Sequence, residues 1–577
     1  MPKGNMMEST IARDKLALDH DLHTLQQQKQ IWEILPVTQK IDLLRETRHL
    51  LGVHADEWVR LCVEAKGIDP NSPWVGEEWV TGPWAIAEVI NGYIETLHAI
   101  AQGTLPKLNK VHTRPDGQVI AQVFPCTIYD RLLLNGITAE VWMQPGVTAE
   151  NLPNEMASLY REAAPEGVVV LVLGAGNVSS IPPLDVIYHM IVRGHVVMLK
   201  MNPVNDYLDP LIEAVFAPFV RAGFLRVISG GVEVGEYLTH HPEVDEIHLT
   251  GSARTHDAIF FGTGPEGEAR RARNESLVNK SVTSELGGVG PLIIVPGRWS
   301  KADIRFHAEH AVTMKLHNSG FNCAAAQVMI LPEVWDQREE FMAAVRQVLR
   351  ELPPRHAFYP GAAQRQREAV AAYPHAETFG GDVPRTLITN LDPQSDTYCF
   401  SSEVFGTVLA QTSLPGNDAV SYLRNAVDFC NQRLMGTLGV SIIVHPKTLR
   451  ELGPTFEDAL AALRYGSIGV NVWAAAAFLI PEATWGAHPG HTEDNIQSGI
   501  GIVRNSLMFD RPQKTVVRGS FYPFPRSWLH GDVSIFPKPP WFVTNRTAKD
   551  TARLVAGLAV DPRLTRLPAI FALALRG

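Results

Sequence analysis

Apolar residues recur at loose helical spacing through residues 8–65, with Leu22, Leu25, Ile31, Leu35, Ile41, Leu44 and Leu50 forming the stripe. This stretch therefore reads as helix, divided at Pro36, which removes a backbone donor. The period then shortens. Residues 118–124 and 137–142 are β-rich runs with polar residues between them, which predicts a hairpin-like projection. From Gly167 onward, strand-like runs at 168–173, 195–200, 225–229 and 246–250 alternate with helical ones at 183–193, 211–222 and 235–240. Such alternation predicts a parallel sheet covered by helices. Residues 262–273 are polar and read as a looped insertion. Strand-like runs return at 291–295, 328–331, 407–411 and 439–444, predicting a second α/β unit. Residues 522–542, rich in proline and aromatics and without a clean period, read as an extended appendix.

A chain of 577 residues exceeds the size at which one core keeps growing, so two or three structural units are expected. Hydrophobic residues at 45% and charged residues at 19% suit a packed globular protein. The formal charge of −10 offers no global attraction to a nucleic acid backbone. Five cysteines (Cys62, Cys126, Cys323, Cys399, Cys430), odd in number and without CxxC spacing, indicate neither a disulfide framework nor a thiolate zinc site. A reducing, cytoplasmic setting is expected. No apolar run approaches the roughly 18 residues of a membrane span, and the N-terminus has no signal-like apolar region.

Several short segments carry candidate chemistry. Cys323 lies in His-Asn-Ser-Gly-Phe-Asn-Cys-Ala-Ala-Ala-Gln (317–327), where glycine lets the backbone approach a ligand and small residues leave room around the sulfur. Alone, it is a small buried hydrophobe. Glu285, in Glu-Leu-Gly-Gly, can serve as a base for a nearby thiol or water, although a surface glutamate is the plainer reading. Gly174-Ala175-Gly176-Asn177 follows a buried strand and can present N–H groups and an amide to developing negative charge. Lys200 closes the next strand, where a cation meets a nucleotide at the carboxyl edge of a parallel sheet. Gly231 and the Gly251-Ser252 turn can cradle phosphates, although glycine is routine in such turns. Glu403 in Ser-Glu-Val-Phe-Gly can accept from a ribose, with Phe405 beside the nicotinamide.

In this order the segments resemble the aldehyde dehydrogenase superfamily over roughly residues 30–520. The resemblance rests on Asn177, Lys200, Leu249-Thr250-Gly251-Ser252, Glu285-Leu286-Gly287-Gly288, Gly320-Phe321-Asn322-Cys323, Glu403-Val404-Phe405-Gly406 and Tyr465–Asn471. Departures accompany it. The family's Pro-Trp-Asn is Ala175-Gly176-Asn177, and a lysine nine residues on is Val186. A glycine after Thr-Gly-Ser is His256, and the acidic residue that favours an unphosphorylated ribose is Pro203, so NAD and NADP both remain open.

The resemblance implies a Rossmann-like nucleotide-binding domain (1–117 and 144–285), an α/β catalytic domain (286–509), small β oligomerisation strands (118–143 and 510–520) and a C-terminal extension (521–577). It implies a homodimer or homotetramer, with Cys323 attacking an aldehyde as a thiolate, Asn177 and the Cys323 N–H holding the oxyanion, and Glu285 activating water against the thioester. Trp142, Phe321, Trp473 and Phe478 suggest an apolar substrate. Two alternatives stay open: a coenzyme-A-dependent or acyl-reducing relative, and a noncatalytic nucleotide-binding or structural subunit. The extension is expected to be a lid over the substrate entrance, an arm on a neighbouring subunit, or a strap on its own body.

Overall fold

The computed structural model describes residues 3–161, 166–381, 383–532 and 534–577, with side chains from Lys15 onward. Helices Lys3–Glu33 and Val37–Ala65 open the chain, with Pro36 in extended conformation between them, as the periodicity predicts. Strands β1 (Lys110–Thr113), β2 (Val119–Phe124) and β3 (Thr138–Met143) form an antiparallel meander. Next come β4 (Val169–Leu173), β5 (Val196–Lys200), β6 (Leu225–Ile228), β7 (Glu246–Gly251) and β8 (Ser281–Leu286). These five are wholly parallel, in the order β6-β5-β4-β7-β8. All five residues of β4 and of β5 are buried, which is why both read as unbroken apolar runs.

The second sheet uses β9 (Gly290–Ile294), β10 (Ala326–Pro332), β11 (Glu377–Phe379), β12 (Arg385–Leu391), β13 (Val408–Leu414), β14 (Gly439–Ile443) and β15 (Ser467–Val470). A two-stranded ribbon, β16 (Trp485–Gly486) and β17 (Ile502–Arg504), precedes β18 (Pro512–Arg518). The resulting sheet has eleven strands in the order β1-β2-β3-β18-β15-β14-β9-β10-β13-β12-β11. The hairpin β2–β3 and β18, the strands set apart by resemblance as oligomerisation strands, thus belong to this chain's own eleven-stranded sheet, through β3 against β18 and β18 against β15.

One reading needs correction. Residues 262–273 are not a loop, because Gly264–Arg273 forms a helix. Pro265 stands in its first turn with Glu266, Arg270, Arg271 and Arg273 occupy its last turn, and Arg270 pairs with Glu266 one turn away. Charges placed with the helix dipole and an i,i+4 ion pair support a helix that has almost no apolar stripe to betray it.

The extension packs on its own body. Helix Ala548–Val560 buries Ala548, Thr551, Ala552, Ala556, Leu558 and Ala559. It docks on the N-terminal helices, where Asn91 Nδ2 donates to the Ala559 carbonyl (2.9 Å) and Lys549 Nζ to that of Pro70 (2.7 Å). Phe521, Phe542 and Val543 are buried against helix Lys301–Leu316 and the second sheet, each adding on the order of 1.5–3 kcal/mol of apolar burial. No helix among the described residues is long and apolar enough to cross a membrane.

Candidate active site

Helix Lys301–Leu316 ends in a turn through Asn318 (φ 53°), Ser319 (φ 57°) and Gly320 (φ 79°), three successive left-handed residues leading to Cys323. For asparagine and serine this conformation costs about 1–3 kcal/mol each and persists only where the surroundings over-determine it. Here they do. The Asn318 N–H donates to Glu77 Oε2 (2.9 Å), and its Nδ2 donates to the carbonyls of Asn177 (2.9 Å) and Phe321 (3.0 Å). Ser319 Oγ donates to the His356 carbonyl (3.1 Å). Gly320 is needed twice over, since a Cβ there would overlap the Gly406 carbonyl. Lys66 fastens the turn from below: Nζ donates to Glu78 Oε1 (2.8 Å), Asn318 Oδ1 (2.9 Å) and the Asn177 carbonyl (3.2 Å).

The Cys323 sulfur opens on an apolar cavity whose empty volume, counted out into open solvent, is about 650 Å³. Val178, Ile181, Trp473, Phe478, Trp485 and Trp541 wall it, with Asn177 at its polar end. Asn177 Nδ2 donates one hydrogen to the Phe321 carbonyl at 3.0 Å, which fixes the amide beside the cysteine turn. Glu285, buried at the carboxyl end of β8, is hydrogen-bonded to the Cys323 side chain and accepts from Trp485 Nε1 at 3.3 Å. Burial pushes the Glu285 carboxyl up to about 7, against the hydrogen bonds of Cys323 and Trp485 and the charge of Arg504. Burial, followed by the Glu285 charge and hydrogen bond, pushes the Cys323 thiol well above its ordinary range. The resting sulfur is therefore a neutral thiol already hydrogen-bonded to a carboxyl, rather than a free-standing thiolate.

The other predicted residues share the carboxyl edge of the five-stranded sheet. Lys200 ends β5, Gly251 ends β7, and Ser252 caps helix Ala253–Phe260 by accepting from the Thr255 N–H at 3.2 Å. Gly231 caps helix Val232–Thr239, where the Glu233 carboxylate folds back to 2.6 Å from the place of a Cβ at 231. Lys200 Nζ has no hydrogen-bond partner among the described residues; burial lowers its pKa, and the charges of Glu233, Asp206 and Asp209 oppose that shift. From the segment before β13, Glu403 comes so close to Gly287 that a Cβ there would overlap its carboxyl. Burial pushes the Glu403 carboxyl up to about 8, and its Oε1 is buried without a partner. Phe405 packs on Phe321 and Tyr359, with ring centroids 5.6 and 5.0 Å apart.

The departures have local explanations. No side chain fits at Gly176, because a Cβ would lie 2.7 Å from Asn202 Oδ1 and 2.8 Å from Val204 Cβ. Val186 is core in helix Ile181–Ile191, and His256 is fully buried, stacked on Phe260 at 5.6 Å. Of the four aromatics read as substrate wall, Trp473 and Phe478 line the cavity. Trp142 is instead buried core on β3, under Arg114 and Lys514, and Phe321 faces Phe358, Tyr359 and Phe405. Sequence reasoning missed Trp485, Lys66 and Asn318, while Trp541 comes from the extension read as a possible lid. Only Asn318 carried a local signal, as a residue type that tolerates the left-handed region beside a glycine.

Comparison with known proteins bears on all of this. The model of the aldehyde dehydrogenase family matches residues 137–476. The D-glyceraldehyde dehydrogenase (NADP(+)) of Thermoplasma acidophilum is 26% identical over 329 residues, 52% of this chain and 58% of that protein. The aminoacetaldehyde dehydrogenase of Pseudomonas aeruginosa is 29% identical over 226 residues, 36% of this chain and 42% of that protein. The chain thus spans about half the length of these two relatives. Among solved structures, a mutant aldehyde dehydrogenase C from Pseudomonas syringae, complexed with NAD+ and octanal, superposes with a TM-score of 0.59 at 16% identity, covering 88% of this chain and 90% of that one. An NADP-dependent glyceraldehyde-3-phosphate dehydrogenase from Bacillus halodurans, complexed with NADP, gives 0.55 at 16% identity, covering 87% and 91%.

Proposed function

The chain belongs to the aldehyde dehydrogenase family, and on that premise we propose that it oxidises an apolar aldehyde to the carboxylic acid with a nicotinamide dinucleotide as acceptor. The observation that carries this reading is the meeting of Cys323 and Asn177 at one apolar cavity, with Glu285 hydrogen-bonded to the Cys323 thiol. Structural neighbours that hold NAD+ with octanal, or NADP, support the choice of substrate and acceptor.

The carboxyl edge fits a dinucleotide by what it leaves unmatched. Lys200 Nζ has no hydrogen-bond partner among the described residues, and Glu403 Oε1 is buried without one, so each has bonding capacity for a ribose or phosphate oxygen. Gly231, Gly251 and Ser252 lie along the same edge. Glu233 and Asp206 place negative charge around Lys200, which disfavours a 2′-phosphate and makes NAD the expected cofactor.

In the chemistry, Glu285 takes the thiol proton as the Cys323 sulfur bonds to the aldehyde carbon. One Asn177 amide hydrogen is committed to Phe321, which leaves the other, with the Cys323 backbone N–H, for the carbonyl oxygen as it becomes anionic. A nicotinamide at this edge supplies the hydride acceptor. Glu285 then takes a proton from the water that hydrolyses the Cys323 thioester, the C–S bond breaks, and the acid leaves. Val178, Ile181, Trp473 and Phe478 present only apolar surface to the aldehyde's tail.

Mixing the protein with an apolar aldehyde and NAD or NADP, with and without coenzyme A, tests the reading. The expected result is cofactor reduction, faster with NAD, at a rate that coenzyme A does not raise. No reduction in any mixture overturns the enzyme, and reduction only with coenzyme A overturns hydrolysis.

The extension shapes the substrate range. Trp541 lines the Cys323 cavity and also a second cavity beyond it that includes Phe306, His310 and Phe542, so its indole stands between the two. Trp541→Ala joins them. The expected outcome is a shift of kcat/KM toward longer aldehydes by about tenfold, the scale of one or two added methylenes in an apolar site. A homologous series of straight-chain aldehydes measures it, and an unshifted chain-length optimum removes the lid role.

A further inference from the structure

The wall of the Cys323 cavity has the composition of a cage for a quaternary ammonium ion. Trp473, Phe478, Trp485 and Trp541 all line it, and the negative faces of such rings attract cations. By its lining alone, the cavity suits an aldehyde with a cationic tail. What stands behind the lining reverses that.

The ribbon β16–β17 sets Arg504 directly opposite Trp485, and residues paired in this way share one face. Both meet Phe478 there. The Trp485 ring lies edge-on to Phe478 with centroids 5.7 Å apart, and Arg504 Cζ lies 3.7 Å from the Phe478 centroid. Arg504 is fully buried and does not itself line the cavity, so the Phe478 ring stands between its charge and the cavity space.

That charge is not matched by a fixed counter-charge. Both terminal nitrogens of Arg504 are buried without a partner. The groups whose charge acts on it are Asp185, Tyr93 and Glu285, and burial raises all three, Asp185 well above its usual range and Glu285 to about 7. Asp185 and Tyr93 therefore hold their protons at neutral pH, and Glu285 ionises only from about 7. Burial lowers the guanidinium itself only to about 10, so it stays charged. Packing does not call for such a group, because an apolar side chain fills the same space without a stranded charge.

We propose, resting on the reading above of Cys323 as the nucleophile for an aldehyde, that Arg504 is a specificity-determining residue: acting through the Phe478 ring, it bars aldehydes with a cationic tail and leaves the cavity to neutral ones. A cation on one face of a ring opposes a second on the other. Two unit charges across one ring stand roughly 7–8 Å apart, and at an effective dielectric of about 20 their repulsion weakens binding by about 30- to 50-fold. The attraction of a single ring for a cation strengthens binding by only about 2- to 30-fold. Repulsion wins at Phe478, while a neutral tail meets the same apolar wall without that opposition.

Two isosteric pairs test this, each differing only in whether a quaternary nitrogen or a quaternary carbon heads the tail. The reacting pair is 4-(trimethylammonio)butanal and 5,5-dimethylhexanal, compared by kcat/KM with NAD at a pH on the plateau of each protein's profile. The native protein is expected to favour the neutral aldehyde, and Arg504→Met to shrink that advantage by about 10- to 50-fold. Because the comparison is a ratio within each protein, an effect of the substitution on Glu285 or on stability cancels, and a merely structural role leaves the ratio unmoved. The unreactive pair is choline and 3,3-dimethylbutan-1-ol, read by how well each slows alkylation of Cys323 by iodoacetamide, and the same shift is expected. If Arg504→Met does not fold, Arg504→Gln takes its place in both comparisons. A native protein that prefers the ammonium member of either pair overturns the proposal, and so does a folded variant whose ratios match the native ones. If no aldehyde reduces a dinucleotide while the choline pair shifts as expected, the functional reading falls and the exclusion of cations stands.

Discussion

Glu285→Gln lowers steady-state turnover by about 10²- to 10⁴-fold, the range expected when a positioned general base is removed. The loss falls on both half-reactions, because this carboxyl is hydrogen-bonded to the Cys323 thiol and, in the mechanism proposed above, is also the base for water. The native protein adds a pH signature. With its carboxyl pushed up to about 7 by burial, Glu285 holds its proton below that pH and accepts one only above it, so turnover rises with pH through about 7. An ordinary glutamate titrates near 4.3 and gives a flat profile over the same interval. The pH dependence of kcat for ester hydrolysis makes the measurement. A profile already flat from about pH 5 upward, or a Gln variant that keeps both rate and profile, removes Glu285 from the chemistry.

The second large effect lies below the site. Lys66 and Glu78 form a buried pair at 2.8 Å, with side chains 5% and 1% exposed, so Lys66→Met leaves a carboxylate inside without its cation. The expected destabilisation is about 3–5 kcal/mol. Turnover falls as well, since the same ammonium holds Asn318 Oδ1 and the Asn177 carbonyl. The double variant Lys66→Met, Glu78→Leu separates the two consequences. It regains much of the stability, because no charge is stranded, but not the turnover, because the turn before Cys323 still lacks its anchor. Thermal unfolding and kcat on both variants check this. A single variant as stable as the native protein contradicts the account, as does a double variant that recovers both properties.

What was legible from residues alone divides along physical lines. Four strands of the five-stranded sheet were visible, β4 and β5 because burial on both faces writes an unbroken apolar run, whereas the polar Ser281-Val282-Thr283-Ser284-Glu285 of β8 hid the fifth. Cys323, Glu285 and Asn177 were visible because each sits in a short segment whose glycines mark close backbone approach. Helix Gly264–Arg273 was hidden, since charge placement rather than apolar period supports it. Trp485 was hidden for another reason: it reaches the cavity from a ribbon, and only tertiary packing brings it there. The neutral state of the Cys323 thiol was equally out of reach, because burial and the Glu285 charge set it, and neither is a property of the local segment.

The seam between β3 and β18 joins positions separated by most of the chain, pairing Thr138 with Arg518 and Val141 with Thr515. During synthesis the β2–β3 hairpin is made early and then waits, one edge open, until Pro512–Arg518 emerges to stand between it and β15. Closure of so long a loop makes this a late and slow event, and the waiting edge is the point at which the nascent chain is most exposed to wrong pairing. The last strand of the sheet is therefore also its latch: until β18 is in place, the eleven-stranded sheet exists only as two separate pieces.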